Sequence, residues 1–328
     1  MGALGRCTHQ LRHGLVKAFA MTQVNTLNPV HGNRRNRSSV RRGQLKFVAF
    51  CVIPAVAFFL VFRFYPVGQA FWMSLHDWRL IGSNRTFVGT QNYQEILTDP
   101  LFRKILQNTL YFAAATSIGL TISALAVAIL LNPIRRGSTI FQLVYFLPVM
   151  TSTIAISTIW LWLYQPQFGL INQLLRAINI PPGTWLTSPS TAMPSIILMS
   201  IWGGLGFYVI IFLAGLRNIP AMYYEAAAID GASRYQAIRY ITIPLLRPVI
   251  TFVLVTSVIG SFNVFQQVYL MTGGGPLNST RVLALHIYNT AFRNLEIGKA
   301  ASMAFVMFAV VLALTLLQMW LRKADNDT

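Results

Sequence analysis

Side chains able to do covalent or acid–base chemistry are scarce in this chain: 328 residues carry eight acids, five histidines and two cysteines. No His, Cys, Asp or Glu set has metal-ligand spacing, no Ser-His-Asp or paired-carboxylate arrangement recommends catalysis, and Cys7 and Cys51 build no disulfide framework. The glycine-rich run Gly273-Gly274-Gly275-Pro276 lacks the Lys-Ser or Lys-Thr that completes a phosphate-binding loop, so the chain cannot hydrolyse ATP unaided. What remains is uncharged binding chemistry. Thr256, Gly260, Asn263 and Gln267 follow steps of four, three and four, which stacks them on one helical stripe, with Phe262, Phe265 and Tyr269 on roughly the opposite face. These donors and acceptors suit the hydroxyls of a neutral sugar or polyol, whereas a phosphorylated solute calls for Arg or Lys. Hydrogen bonding between helices is the other reading of the stripe.

The elements that must carry this stripe are set by composition. The chain is 55% hydrophobic and 10% charged, against about 25% charged in soluble domains, so most of its surface faces something other than water. Six stretches approach or exceed the roughly 20 residues that span a bilayer as helix: Phe47 to Phe64, Thr109 to Leu131, Phe141 to Tyr164, Ala192 to Leu216, Val249 to Tyr269 and Ala300 to Leu321. An all-α membrane protein of six transmembrane helices is expected. Pro54, Pro148 and the cluster Gly203, Gly204 and Gly206 predict broken or closely packed helices within the spans, with a substrate role for the glycines as the alternative. Trp72, Trp78, Trp160, Trp162 and Trp185 read as an interfacial belt first and as sugar-stacking groups second.

Charge gives the orientation. The net charge of +18 is unevenly placed: Arg6, Arg12, Lys17, Arg34, Arg35, Arg37, Arg41, Arg42 and Lys46 precede the first apolar run with no acid among them, the positive-inside signature. Residues 1–45 have no helical period and read as a basic, disordered cytoplasmic tail, with anionic lipid or nucleic acid as a less favoured partner. Neither a signal peptide nor a myristoylation site is completed there, and translation from Met21 would serve equally. Arg135, Arg136, Arg217, Arg234, Arg239, Arg247, Arg322 and Lys323 then fall inside, and both termini are cytoplasmic. Asp77, Glu95, Asp99 and Glu296 fall outside, while Glu225, Asp230, Asp325 and Asp327 fall inside. None of the five histidines lies at mid-membrane and Arg63 is the sole charge within a span, so coupling to protons or sodium is disfavoured.

The internal loop 217–247 reads as two short helices. Asn218 and Pro220 open the first and Gly231 closes it, and Ser233 with Gln236 forms a capping box for the second, which stops near Pro244. Between them, Glu225-Ala226-Ala227-Ala228-Ile229-Asp230 makes a thin rod that either seats in another protein's cleft or lies on lipid.

Glu225-Ala226-Ala227, three residues, Gly231, nine residues, Ile241, one residue, Ile243 and Pro244 resembles the EAA motif of ABC importer permeases, with Ile243 where the family has Leu. Leu213-Ala214-Gly215-Leu216, Ile229-Asp230-Gly231-Ala232-Ser233 and Met271-Thr272-Gly273-Gly274-Gly275-Pro276 are similar to the carbohydrate branch, that of the maltose and glycerol-phosphate permeases. The resemblance covers roughly Phe47 to Leu321 and implies a type I ABC importer permease (MetI-like) fold over residues 46–325. It further implies a bacterial inner-membrane subunit that pairs with a second homologous permease, two copies of a cytoplasmic ABC ATPase and an external substrate-binding protein. This chain would bind membrane lipid but no nucleic acid and no cofactor, ATP and Mg residing on the ATPase. Glu225, Ala226, Ala227, Asp230, Gly231, Ile241 and Pro244 would couple to that ATPase, and Thr256, Gly260, Asn263 and Gln267 would line the path. A passive channel, a secondary transporter and a membrane-embedded scaffold are the competing readings.

Overall fold

The computed structural model describes residues 48–82, 85–133 and 138–326. The tail assigned to residues 1–45, the pair Arg135 and Arg136, and Asp327 lie outside the described residues. The chain separates into two compact units, residues 1–66 and 67–328. In the first, the described residues are helical and almost wholly apolar, with Phe58 and Phe62 in ring contact at 4.8 Å and their side chains exposed, a surface suited to lipid.

Helix α1 runs Val48–Ser74 with a π turn at Leu60–Phe64. A hairpin follows, β1 (His76–Trp78) and β2 (Arg85–Phe87), paired antiparallel with His76 opposite Phe87. Helix α2 is Gln91–Thr98. Helix α3, Pro100–Leu131, starts where a helix should: the Asp99 carboxylate accepts from the Leu101 amide at 2.8 Å, and Pro100, lacking an amide hydrogen, occupies the first turn. Then come α4 (Ser138–Met150), α5 (Thr153–Leu163), α6 (Leu170–Ala177) and α7 (Pro189–Arg217). The remainder comprises α8 (Ala221–Ile229), α9 (Arg234–Leu245), α10 (Arg247–Phe262), α11 (Gln266–Met271), α12 (Leu283–Tyr288) and α13 (Ile297–Asn326).

Among the described residues, four helices are long and apolar enough to cross a membrane singly, and six spans result if each of two bent pairs counts as one. The first bend falls where Pro148 predicts a broken helix, and the second falls just after Pro244, where the loop's second helix is expected to stop. Phe141 to Tyr164 is divided by a 97° turn between α4 and α5, where Pro148 removes a helical donor and Ser152 is extended (ψ 133°). Helix α9 meets α10 at 67°, with Pro248 in the first turn of the new helix. The fifth span itself ends at Phe262, and Gln267 belongs to the separate helix α11. The last helix begins at Ile297, three residues before the expected Ala300, so Lys299 joins Arg63 as a charge within a spanning helix, as do Arg103 and Lys104 of α3 and Arg217 at the end of α7.

Two apolar cores lie along α3 and α7. Ala124 and Ala128 of α3 are fully buried, and their small side chains let the helix close on Val209, Phe212 and Leu216 of α7 and on Leu246 and Val253. The other joins Phe112 to Tyr164, Ile196, Met199, Val268 and Leu285. Gly206 is a packing glycine, because a Cβ there would strike the Tyr145 carbonyl. Trp160 and Trp185 also belong to this interior and not to a belt: Trp185 stacks on Tyr164 at 5.1 Å and donates to Asn172 Oδ1 at 2.7 Å. Trp72 and Trp162 do face outward.

The hairpin and α2, unforeseen from sequence, form a cap against the start of α13. Lys299 Nζ meets Glu95 at 2.9 Å, a hydrogen bond that holds the Glu95 carboxyl below its ordinary range. Gly298 allows the close approach, since a side chain there would collide with the His76 carbonyl. The centre of the cap is Asn92, buried, donating to the carbonyls of Ser74 at 2.9 Å and His76 at 3.0 Å. Asn92→Ala strands at least the His76 carbonyl and should cost about 1–3 kcal/mol. The check is the thermal unfolding midpoint of the detergent-solubilised protein, which should fall; an unchanged midpoint would remove Asn92 from the framework.

Candidate functional site: a polar cavity linked to a two-helix loop

A cavity of about 500 Å³ opens where the backbone breaks. Thr153, just after the bend between α4 and α5, lines one side, and the stretch from Asn263 to Gln267 between α10 and α11 lines another. Phe112, Thr116 and Leu120 of α3 and Ser200, Gly204 and Tyr208 of α7 complete the wall with Ser257, Gly260 and Ser261 of α10. No lining residue is charged. The Thr116 hydroxyl is buried with no hydrogen-bond partner among the described residues. Asn263 caps α10, spends one donor on the Ile259 carbonyl at 2.9 Å, and remains exposed. Such a wall offers hydroxyl and amide groups at several angles to a neutral polar molecule.

At the other end of α3 lies the two-helix loop. Helix α8 ends in a Schellman closure: the Ala232 amide reaches the Ala227 carbonyl at 2.9 Å and the Gly231 amide reaches Ala228 at 3.1 Å, with Gly231 at φ 75°. Ser233 and Gln236 then form the capping box in both directions, at 3.3 and 2.7 Å. Glu225, Ala226, Asp230 and Gly231 are exposed, Ala227, Ile241 and Pro244 half-buried, and Ile229 at 87% and Tyr235 at 75% exposure stand clear of the protein. Behind this face, Tyr224 and Thr242 hydroxyls meet at 3.0 Å beside a second cavity of about 270 Å³, floored by Ile129 and Asn132 of α3 and Leu216 of α7. The outward surface therefore sets exposed apolar side chains beside Glu225, Asp230 and Arg234, and the inward one is tied to the helices that continue to the polar cavity.

The binding-protein-dependent transport system inner membrane component family model matches residues 119–324, which include the two-helix loop and the broken fifth span. The chain belongs to that family. It is 37% identical over 291 residues to the lactose transport system permease protein LacF of Rhizobium radiobacter, covering 87% of this chain and 97% of the relative. It is 34% identical over 288 residues to the probable ABC transporter permease protein YurN of Bacillus subtilis, covering 87% and 99%. Among solved structures it resembles a bacterial ABC transporter involved in the import of the acidic polysaccharide alginate, with a TM-score of 0.76 at 22% identity over 89% of this chain and 99% of that one. The fold is thus the ABC importer permease fold, and the chain is a multi-pass inner-membrane transport subunit, not an enzyme.

Within the permease, Gly260, Asn263 and Gln267 reach one cavity even though a helix break separates the last from the first two. Thr256 does not line that cavity: its hydroxyl donates back to Phe252 at 2.8 Å and to Val253 at 3.2 Å, along its own helix. Phe265, expected on the opposite face, also lines the cavity, because the backbone at Phe265 (φ −136°, ψ −58°) leaves helical geometry and turns its ring inward. The sequence reading missed Ser200 and Tyr208, although with Gly204 they follow a spacing of four, a legible helical stripe. Gly204, for which packing and a substrate role are the two readings from sequence, lines the cavity.

A Cβ at Gly231 meets no atom within 4 Å, so its requirement is conformational and not steric. A non-glycine residue in the left-handed region costs about 1–2 kcal/mol, more for a β-branched one, enough to shift a loop population about tenfold. Gly231→Val should insert normally but lose transport by the assembled importer, while Gly231→Asn should retain most of it. Uptake by membrane vesicles containing each variant at matched expression is the measurement, and wild-type uptake by Gly231→Val would dismiss the requirement.

Proposed function

We propose that this permease forms, with a second homologous permease, the membrane path for a neutral sugar or polyol delivered by an external binding protein. Two copies of a cytoplasmic ABC ATPase drive it. The single observation that carries this reading is the join between the two sites: Leu246, 1% exposed, packs the start of α10 into the core of α3 and α7, and α10 ends at the cavity. At 1.5 Å per residue, roughly 25 Å of helix separates Leu246 from Asn263, a lever between loop and path. The ATPase would grip the exposed face of α8 through Glu225, Ala226, Ala227 and Asp230, with Gly231 as the bend and Ile241 and Pro244 holding α9 to the membrane part. ATP and Mg belong to the ATPase, and this chain binds no cofactor. The uncharged wall supports a sugar or polyol, consistent with the lactose named for LacF.

In this assignment the loop 217–247, the tail 1–45 and both termini face the cytoplasm, and residues 46–325 form the permease domain. The positive-inside distribution of Arg217, Arg234, Arg239 and Arg247 supports it. Single cysteines at Ile178 and Ile229, both exposed, in a background lacking Cys7 and Cys51, should label oppositely with an impermeant thiol reagent. Labelling of position 229 from outside intact cells would invert the topology.

Asn263→Ala and Gln267→Ala should each raise the KM for uptake about tenfold, the scale of one or two lost hydrogen bonds to a polar ligand, while ATP hydrolysis stimulated by the binding protein survives. Unchanged uptake kinetics in both variants would take these amides out of the path.

A further inference from the structure

The loop from Thr272 to Arg281 has no part in the mechanism above, yet its backbone is held in an unusual form. Leu277 (φ 52°) and Asn278 (φ 58°) are successive non-glycine residues in the left-handed region, which disfavours a leucine in particular. Side chains hold it there. Lys104 Nζ of α3 donates to the Leu277 carbonyl at 2.9 Å, and Asn108 Nδ2 donates to the carbonyls of Asn278 at 2.9 Å and Arg281 at 3.1 Å. The fully buried Thr280 donates to the Gly275 carbonyl at 2.7 Å. The Leu277 side chain, by contrast, is 79% exposed. A loop serving only to reverse the chain would accept glycine or asparagine at 277 without strain. Strain that surrounding groups enforce at an exposed apolar tip points to use of the tip.

Its setting narrows the use. Lys104 lies near the start of α3, and roughly 37 Å of helix separates it from Ile129 beside the two-helix loop, so the tip and that loop sit at opposite ends of the same helix. The tip is flanked by cations. Arg281 Nη1 donates to Asn278 Oδ1 at 3.3 Å, and Arg293 is close enough to Arg281 for their charges to repel. Lys104, Arg281 and Arg293 make no salt bridge among the described residues. His286, behind the loop, adds no charge near neutral pH: burial first and Arg281 second push it down to about 4, against a weaker pull upward from Asp99. A pre-set backbone lowers the ordering cost of a specific contact, and unpaired cations steer a soluble acidic partner. Neither property is needed for lipid contact or by a subunit that stays paired.

We infer that Leu277 is a fixed prong through which this permease docks the external binding protein, entering an apolar pocket rimmed by carboxylates. The inference rests on the reading that such a protein delivers the substrate. In the importer reconstituted with its ATPase and binding protein in nanodiscs, ATP hydrolysis is followed against binding-protein concentration. Leu277→Gly keeps the left-handed backbone and removes only the side chain. It should raise the half-stimulating concentration about tenfold, the scale of one leucine left in water, with the maximal rate retained, while Leu277→Met stays near wild type. A photo-crosslinking amino acid at position 277 should capture the binding protein. A Leu277→Gly curve superimposed on wild type, or capture of the second permease or of lipid alone, would overturn the prong. Absence of any stimulation of the wild-type importer would instead overturn delivery by a binding protein.

Discussion

Within lipid every backbone N–H and C=O must be satisfied by the protein itself, and among the described residues two of the interruptions in the helices open where that rule bends. The break between α4 and α5 and the break between α10 and α11 both reach the same polar cavity, through Thr153 on one side and Asn263 to Gln267 on the other. The unpaired groups of a broken helix are tolerable where they face a wet, polar space. A cavity lined by such groups in turn needs no charged side chain to be polar. Helix breakage and site polarity are one arrangement, and the continuous α3 and α7 packed behind it keep the breaks from spreading.

Under the proposed function, the same broken geometry is what would let the loop and the cavity act on each other. Helix α9 meets α10 at 67°, so under the proposed function a displacement of the loop would be converted at Leu246 into tilt of α10. Gly215 sits at this corner, where an added Cβ would lie 2.9 Å from Val249 Cγ2, so α7 and α10 are in close contact where the tilt begins. Asn263 and Gly260 lie at the far end, where a given tilt produces its largest displacement. Packed interfaces move between discrete arrangements more readily than they deform, and the alanine-rich seam of α3 is a smooth surface for such a shift.

Much of this was legible in the sequence because it is encoded locally. Gly231, Ser233 and Gln236 specify their caps by residue type and spacing, and the structure has both as read. The six apolar stretches are encoded by length. What was not legible depends on tertiary contact. The stripe from Thr256 to Gln267 was drawn on an unbroken helix, and nothing in local propensity says that Asn263 ends it. Once it ends there, Phe265 turns into the cavity, while Thr256, about two turns earlier, donates to its own backbone. Trp160 and Trp185 sit at positions where an interfacial belt is the ordinary expectation, and only the buried Asn172, accepting from Trp185 at 2.7 Å, draws the latter inward. The hairpin at His76 to Phe87 was hidden because three-residue strands carry almost no period, and its partners Asn92, Gly298 and Ser302 are distant in sequence.

As the proposed path, the uncharged cavity has an energetic consequence. With no acid, histidine or lysine among the residues that line the cavity, no side chain on that wall titrates near neutral pH, so a proton gradient has no titratable group to act on there. Hydroxyl and amide contacts that replace equivalent contacts with water yield little net binding each, which keeps the solute from being trapped on its way through. Directionality must then come from changing the cavity's shape and not its charge. The element placed to do that is α10, which borders the polar cavity at Gly260 and Asn263 and is anchored at its other end by a leucine that has almost no exposed surface. Removing bulk at Leu246 would leave both sites chemically intact and disconnect them.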